Sequence, residues 1–318
     1  MSAKELKLTT EKSAFVLKAP TSSGKTRKPR LLLFFVATVF LALLFGAPLY
    51  HLLRLAVTDD LYSDIPVVPL LSLYLIWLRR ERMPASFEPS PLPAVLLSLA
   101  GMFVLAAWWL PSRQIVPPTE DYLAANIFAF LLLFGGICFV FLSKTFMGAF
   151  ACPMALLAFT IPFPFALRQY IDTFLQHGSA VFAGFFFDFT GDPIIRDGLN
   201  FQLPNMVIQV APECSGIHST VVLTIVSIAG AWLFLRSPWK RAFLVLLVVP
   251  LALIRNGFRI FVICRLCMAY GPQMLNAPIH RHGGPLFFAL SLLPFYLVLL
   301  LLRKTEETNR EPSTRPSL

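Results

Sequence analysis

Leu31–Leu53 reads LLLFFVATVFLALLFGAPLYHLL, a run without a single acid, lysine or arginine. At about 1.5 Å per helical residue such a run crosses the roughly 30 Å of hydrocarbon in a bilayer. It is too long for a signal peptide and no small-residue cleavage site closes it. We therefore expect an uncleaved first span behind a basic tail, residues 1–30, which holds Lys4, Lys25, Arg27, Lys28 and Arg30.

The same pattern recurs along the chain. Apolar runs predict further spans near Leu61–Leu78, Leu92–Leu110, Tyr122–Leu142, Phe146–Ile161, Ser215–Leu235, Ala242–Phe261 and Pro285–Leu302. The fifth is short, and Pro162 and Pro164 can turn it back as a re-entrant segment. Composition agrees: 57% of residues are hydrophobic, 14% are charged and Phe occurs 31 times, whereas soluble domains carry about a quarter charged residues. The expected fold is an all-α polytopic membrane protein of about eight transmembrane helices, filling residues 31–302 as one transmembrane catalytic domain. A polar tail, residues 303–318, ends the chain.

Short basic loops set the orientation. Arg79, Arg80 and Arg82 follow the second span, Lys144 the fourth, Arg236, Lys240 and Arg241 the sixth, and Arg303 with Lys304 the eighth. Every second connection is basic, which places both termini in the cytoplasm of a multi-pass protein in the inner membrane. The net charge of +10 sits in these clusters, so it points to lipid headgroups and not to nucleic acid. Between the fifth and sixth spans, Arg168–Phe187 places Arg168, Asp172, Gln176 and Ser179 at helical spacing. We expect an amphipathic helix in the outer interface there. Beyond it Asp197-Gly198 marks a small extracytoplasmic β-hairpin, and Met206–Val210 alternates like a strand before Pro212-Glu213-Cys214-Ser215-Gly216.

Of the five cysteines, Cys138, Cys152, Cys264 and Cys267 lie in apolar runs and behave as small packed hydrophobes. Cys264 and Cys267 have CxxC spacing, but in an apolar helix this suggests neither redox nor metal chemistry. Cys214 differs, with polar neighbours and the start of a helix beside it. The unpaired N–H groups and positive dipole end of a helix favour a thiolate, and the small Ser215 and Gly216 admit an approaching peptide backbone. Arg255 and Arg259, spaced on one face of the seventh span beside Asn256, are functional candidates because a charge at membrane depth costs about 2.5–3.5 kcal/mol or more. Arg255 can also snorkel to headgroups or meet carboxylates of the substrate. His280 and His282, in the loop before the last span, can serve as a general base near neutral pH. His218, one turn beyond Cys214, is a further candidate.

Cys214-Ser215-Gly216, Asn256-x-x-Arg259 and His280-x-x-x-Gly284 with Phe288 beyond resemble, in this order, the signature of the exosortase/archaeosortase family. The entry through Val210-Ala211-Pro212 and the second span, with Tyr62, Pro66, Pro69 and Trp77, are similar to that family as well. The resemblance implies a membrane cysteine protease and transpeptidase, of bacterial type because the archaeal branch tends to carry Arg where this chain has His280. It casts Cys214 as nucleophile, Arg259 as stabiliser of the oxyanion and His280 as proton-transfer partner. The residues themselves leave Arg255, His282 and His218 as secondary candidates and put Ser215, Gly216 and Asn256 where a substrate would approach. The substrates implied by the resemblance would be exported proteins with C-terminal sorting signals (a short motif, a transmembrane helix and a basic tail), passed to an acceptor nucleophile of unspecified kind. No cofactor or metal is implied. Two rival readings are a transporter or channel for a small anionic solute, which gathers polar residues near the midplane, and a non-catalytic scaffold of an envelope polymer export system.

The orientation is testable by cysteine labelling in intact cells. Membrane-impermeant reagent added from outside is expected to mark introduced cysteines in 191–204 and 271–277 and to spare one at Ser237; outside labelling at Ser237 would invert the assignment.

Overall fold

The structure is a computed structural model that describes residues 23–84, 88–109, 119–192, 194–204, 206–276 and 284–308. The first expected span is bent. Helix α1 (Ser23–Leu44) and helix α2 (Gly46–Thr58) meet at 74°. Pro48 lacks the N–H that Leu44 would need four residues on, so the helix breaks at that step. After a 3₁₀ turn whose Leu61 N–H is capped by Asp59 at 3.0 Å, α3 (Val67–Leu78) returns.

Helices α4 (Pro91–Trp109) and α5 (Thr119–Phe141) form an antiparallel pair that depends on small residues. A Cβ at Gly136 would stand 2.7 Å from Ser98 Oγ and 3.1 Å from the Ala94 carbonyl; one at Gly101 would meet Leu133 at 3.0 Å. Close backbone approach of this kind drives helix association where lipid supplies no hydrophobic contrast.

The fifth expected span is not a straight helix. Pro153 removes the donor for the Ala149 carbonyl, so the run splits into α6 (Ser143–Ala149) and α7 (Ala151–Leu156), followed by a 3₁₀ turn. Pro162 and Pro164 then turn the chain by 96° into α8 (Phe165–Thr190). The amphipathic segment is thus a 26-residue helix, closed by Gly191 in the left-handed region at φ 71°. One face buries Leu175, Gln176, Ser179, Ala180, Ala183 and Phe187, while Tyr170, Phe174, Val181, Phe185 and Phe189 stay exposed on the other.

The expected hairpin is a three-stranded antiparallel sheet: β1 (Ile195–Asp197), β2 (Asn200–Leu203) and β3 (Met206–Gln209), with Asp197 opposite Asn200 and Phe201 opposite Ile208. Gly198, at φ 59°, makes the tight turn. Phe201 is fully buried against Phe187 and a patch with Ile260, Ile263, Cys264 and Cys267, so both cysteines of the CxxC spacing serve the core beneath the sheet.

Helix α9 (Ile217–Phe234) follows, then α10 (Pro238–Leu246) and α11 (Val248–Tyr270), and α12 (Gly284–Thr308) closes the described chain. The seventh span is longer than the expected Ala242–Phe261, because α11 continues past Arg259 to Tyr270. Its far half is covered by α8. A Cβ at Gly257 would lie 2.6 Å from the Phe182 Cβ and 2.9 Å from the Ser179 carbonyl. Further along, Phe187 meets Phe261 and Asp192 pairs with Arg265 at 2.5 Å. Bonds from Arg265 and Thr190 hold the Asp192 carboxyl below the usual carboxylate range.

Among the described residues six helices are long and apolar enough to cross a membrane, or eight when each bent pair is one span. Their exposed surface is apolar, with Leu43, Phe103 and Leu293 each more than two-thirds exposed. At one end the basic loops meet. Arg79 donates to the Trp232 and Leu233 carbonyls at 3.1 and 2.6 Å, Arg241 to the Leu235 carbonyl, and Lys240 to the Leu302 carbonyl at 3.1 Å. Glu306 accepts from the Arg236 and Ser237 N–H groups. Cations thus cap the carbonyl end of α9, and one reaches α12 within its last two turns. At the opposite end lie the sheet and the acids Asp59 and Glu120.

Gly257→Ala tests the α8–α11 contact. Overpacking costs about 1–3 kcal/mol, so the melting temperature of the detergent-solubilised protein, followed by tryptophan fluorescence, should fall; an unchanged melt would mean that α8 does not rest on Gly257.

Candidate active site

Between β3 and α9 the chain passes from strand to helix in a few residues. The Val210 N–H closes the sheet on the Leu199 carbonyl at 3.0 Å, a 3₁₀ turn covers Pro212–Cys214, and Ser215 N–H bonds back to the Pro212 carbonyl at 3.0 Å. Gly216 then takes φ 77° and α9 begins at Ile217. Only glycine adopts that conformation cheaply. A side chain there would also collide, since its Cβ would lie 3.1 Å from Asn256 Cγ and 3.3 Å from Arg255 Nη2. Gly216 is therefore needed by the protein's own packing, beyond any role for an approaching substrate. Cys214 is half-buried at the edge of the sheet's core, at the N-terminal end of α9.

The turn is held from α11. Asn256, 2% exposed, donates from Nδ2 to the carbonyls of Cys214 at 2.8 Å and Ser215 at 3.1 Å, and lies 3.0 Å from Ser179 Oγ on α8. One side chain thus joins the turn to two helices. Its neighbours on α11 differ. Arg255 is 7% exposed, and its Nη2 donates to Ser219 Oγ in the first turn of α9 at 2.6 Å, so it is buried in the bundle and does not reach for headgroups. Arg259 lines the cavity described next. Both lie in mid-helix and not near the end of the expected Ala242–Phe261 span, because α11 runs on to Tyr270, eleven residues past Arg259.

The cavity beside the turn has a volume of about 850 Å³. Its walls bring together Ser215 and Gly216 from the turn, His218 and Ser219 from α9, Arg259 from α11 and Phe288 from α12. Asp59, Asp60, Arg168 and Asp172 form the charged side. The Nε2 of His218 lies 3.4 Å from Ser63 Oγ. His280 and His282 lie outside the described residues; the segment that carries them rejoins the structure at Gly284, which lines the cavity.

Sequence reasoning missed the group that backs the turn. Ser215 is 2% exposed, and its hydroxyl donates to Asp172 Oδ1 at 2.6 Å. Arg168, one turn earlier on α8, lies 3.8 Å from Asp172 and from Asp59 and 2.5 Å from Glu120. From the sequence, Arg168 and Asp172 stand only as the polar face of an amphipathic helix. The available signal was that two charges one turn apart on a Phe-rich helix need partners at membrane depth.

This geometry suits acyl transfer. A thiol stands next to a helix N-terminus, and the adjoining cavity, which Arg259 lines and Cys214 and Arg255 do not, has room for an extended peptide. A family model described as transmembrane exosortase matches residues 56–297, which takes in the turn, both arginines and both histidines. No curated protein and no solved structure matches the chain.

Proposed function

The chain belongs to the transmembrane exosortase family, a membrane transpeptidase of the sorting-enzyme kind, and from that premise we propose that Cys214 is the nucleophile that cleaves C-terminal sorting signals of exported proteins. The observation that carries this reading is the arrangement at the turn: Cys214 at the start of α9, tied by Asn256 at 2.8 Å to the helix that also brings Arg259 to the cavity.

In the proposed reaction the Cys214 thiolate attacks the scissile carbonyl carbon, and the carbonyl electron pair moves to oxygen. Arg259, the arginine on the cavity wall, stabilises that oxyanion. His280 takes the thiol proton and returns it to the departing amine, so the peptide C–N bond breaks and a thioester remains on Cys214. An acceptor amine then attacks the thioester to form a new amide and free the thiol; water in its place yields a carboxylic acid. In this reading the cavity faces the extracytoplasmic side of the inner membrane and both termini are cytoplasmic; the gathering of the basic loops at the opposite end supports it. The acids Asp59 and Asp60 on the cavity's charged side follow α2 at the end of the bundle opposite the basic loops, which favours an enzyme over a transporter, where charges would concentrate near the midplane.

The test is processing of a co-expressed protein carrying such a signal, with enzyme level followed by an epitope tag. Cys214→Ala should abolish processing while the protein accumulates normally; wild-type processing would end the nucleophile assignment. Losing an oxyanion donor costs about 100- to 1000-fold, and Lys keeps the charge without the forked geometry. Arg259→Lys and His280→Ala should therefore be nearly inactive, while Arg255→Lys and His282→Ala keep measurable processing. The reverse order would exchange the roles within each pair.

A further inference from the structure

The turn that carries Cys214 is held by its backbone from one side and by a side chain from the other. Asn256 on α11 takes the two carbonyls. On the α8 side Ser215 Oγ donates to Asp172 Oδ1 at 2.6 Å, and Gln176 Nε2 donates to the Val210 carbonyl at the turn's entry at 3.4 Å. The first length lies in the charge-assisted range for a hydroxyl on a carboxylate. The Asp172 side chain is 15% exposed, and a carboxylate so far from water requires donors or an opposite charge. Both are present: the Ser215 hydroxyl on one oxygen, and Arg168 Nε at 3.8 Å from the other.

Arg168 is itself fixed. Its Nη1 lies 2.5 Å from Glu120 at the start of α5 and 3.8 Å from Asp59 just beyond α2. The Phe165 N–H, at the start of α8, donates to Asp121 at 2.7 Å. One guanidinium thus faces three carboxylates from three elements, and the one that is not at a helix end is the one that touches the turn.

We propose that Asp172 is a positioning residue for Cys214, anchored by Arg168 and acting through the buried hydroxyl of Ser215. In this arrangement Ser215 follows the cysteine because a small hydroxyl reaches the carboxylate without filling the cavity. The charged group ties the turn to α8, α5 and the end of α2, so the turn that carries the thiol keeps its place at the cavity wall when a substrate enters. The inference rests on the reading of Cys214 as nucleophile for its catalytic meaning, and its structural content can be measured without that reading.

The experiment is a double-mutant cycle with two readouts on full-length protein in membranes: processing of the co-expressed substrate, and iodoacetamide alkylation of each cysteine, quantified peptide by peptide by mass spectrometry. Losing a hydrogen bond to a charged group alters an equilibrium or rate by about tenfold or more. Asp172→Ala and Ser215→Ala should each slow processing by about that factor. Each should also speed alkylation of Cys214, because the loosened turn exposes the thiol, while the buried Cys138 and Cys264 keep their wild-type rates. The double variant should be no worse than the poorer single one, since both remove the same bond. Asp172→Asn, which keeps an acceptor oxygen for Ser215, should recover part of the processing. Unchanged Cys214 alkylation in both single variants, or losses that multiply in the double variant, would overturn the proposal. If Asp172→Ala does not accumulate, Ser215→Ala and Asp172→Asn decide the matter alone. Normal processing by Cys214→Ala would remove the catalytic meaning and leave the alkylation result to judge the clamp.

Discussion

Two backbone carbonyls, those of Cys214 and Ser215, lie where a strand ends and a helix has not yet begun, so neither ladder supplies them with a donor. In a membrane protein a buried carbonyl without a donor costs several kcal/mol. Asn256 donates to both, at 2.8 and 3.1 Å, and much of the surrounding structure follows from that contact. For α11 to approach this closely, residue 216 must lack a side chain, since a Cβ there would press on Asn256 and Arg255. For α8 to place Ser179 against the same amide, residue 257 must be bare as well, with the Ser179 carbonyl 2.9 Å from where its Cβ would be. The glycines of Cys-Ser-Gly and Asn-Gly are two sides of one close approach.

Charge is divided between the ends of the bundle, and the division does two jobs. At the basic end Arg79 and Arg241 donate to carbonyls at the end of α9 and Lys240 to the Leu302 carbonyl of α12, so residues that signal topology also tie neighbouring helices together. At the sheet end the acids outnumber the bases around Arg168, and the cavity opens among them. The lengthwise position of the site follows: α9 starts there, α2 ends there, and α12 enters the described structure there at Gly284.

The spans, the alternation of basic loops and the turn at Asp197-Gly198 were legible because each is written in a local pattern: length, composition or a dipeptide. The bends were less so. Pro48 and Pro153 sit inside apolar runs that read as continuous, and a missing N–H changes direction only once neighbouring helices decide where the freed carbonyl goes. The extension of α11 to Tyr270 was hidden because its far half is sheltered by α8 and the sheet, so its composition does not mark a boundary. Cys214, Asn256 and Arg259 could be picked out as chemistry-bearing residues in an apolar chain. The link from Asp59 and Glu120 through Arg168 and Asp172 to Ser215 could not, since its members are separated by 43 residues or more at three of the four contacts. No local period joins them.

The same geometry explains why two arginines one turn apart have different surroundings. Spacing alone puts Arg255 and Arg259 on one face of α11, where they look interchangeable. Their difference is along the axis. Helix α9 runs opposite to α11 and starts level with Asn256, so Arg255 faces its first turn and bonds Ser219 at 2.6 Å. Four residues further, a rise of about 6 Å, carries Arg259 past the start of α9, where the cavity takes the place of a neighbouring helix. A guanidinium on a cavity wall can turn toward a substrate oxygen; one packed against Gly216 and Ser219 instead supports the turn from below. The position at which α9 begins, set by the left-handed Gly216, therefore gives the two arginines different surroundings.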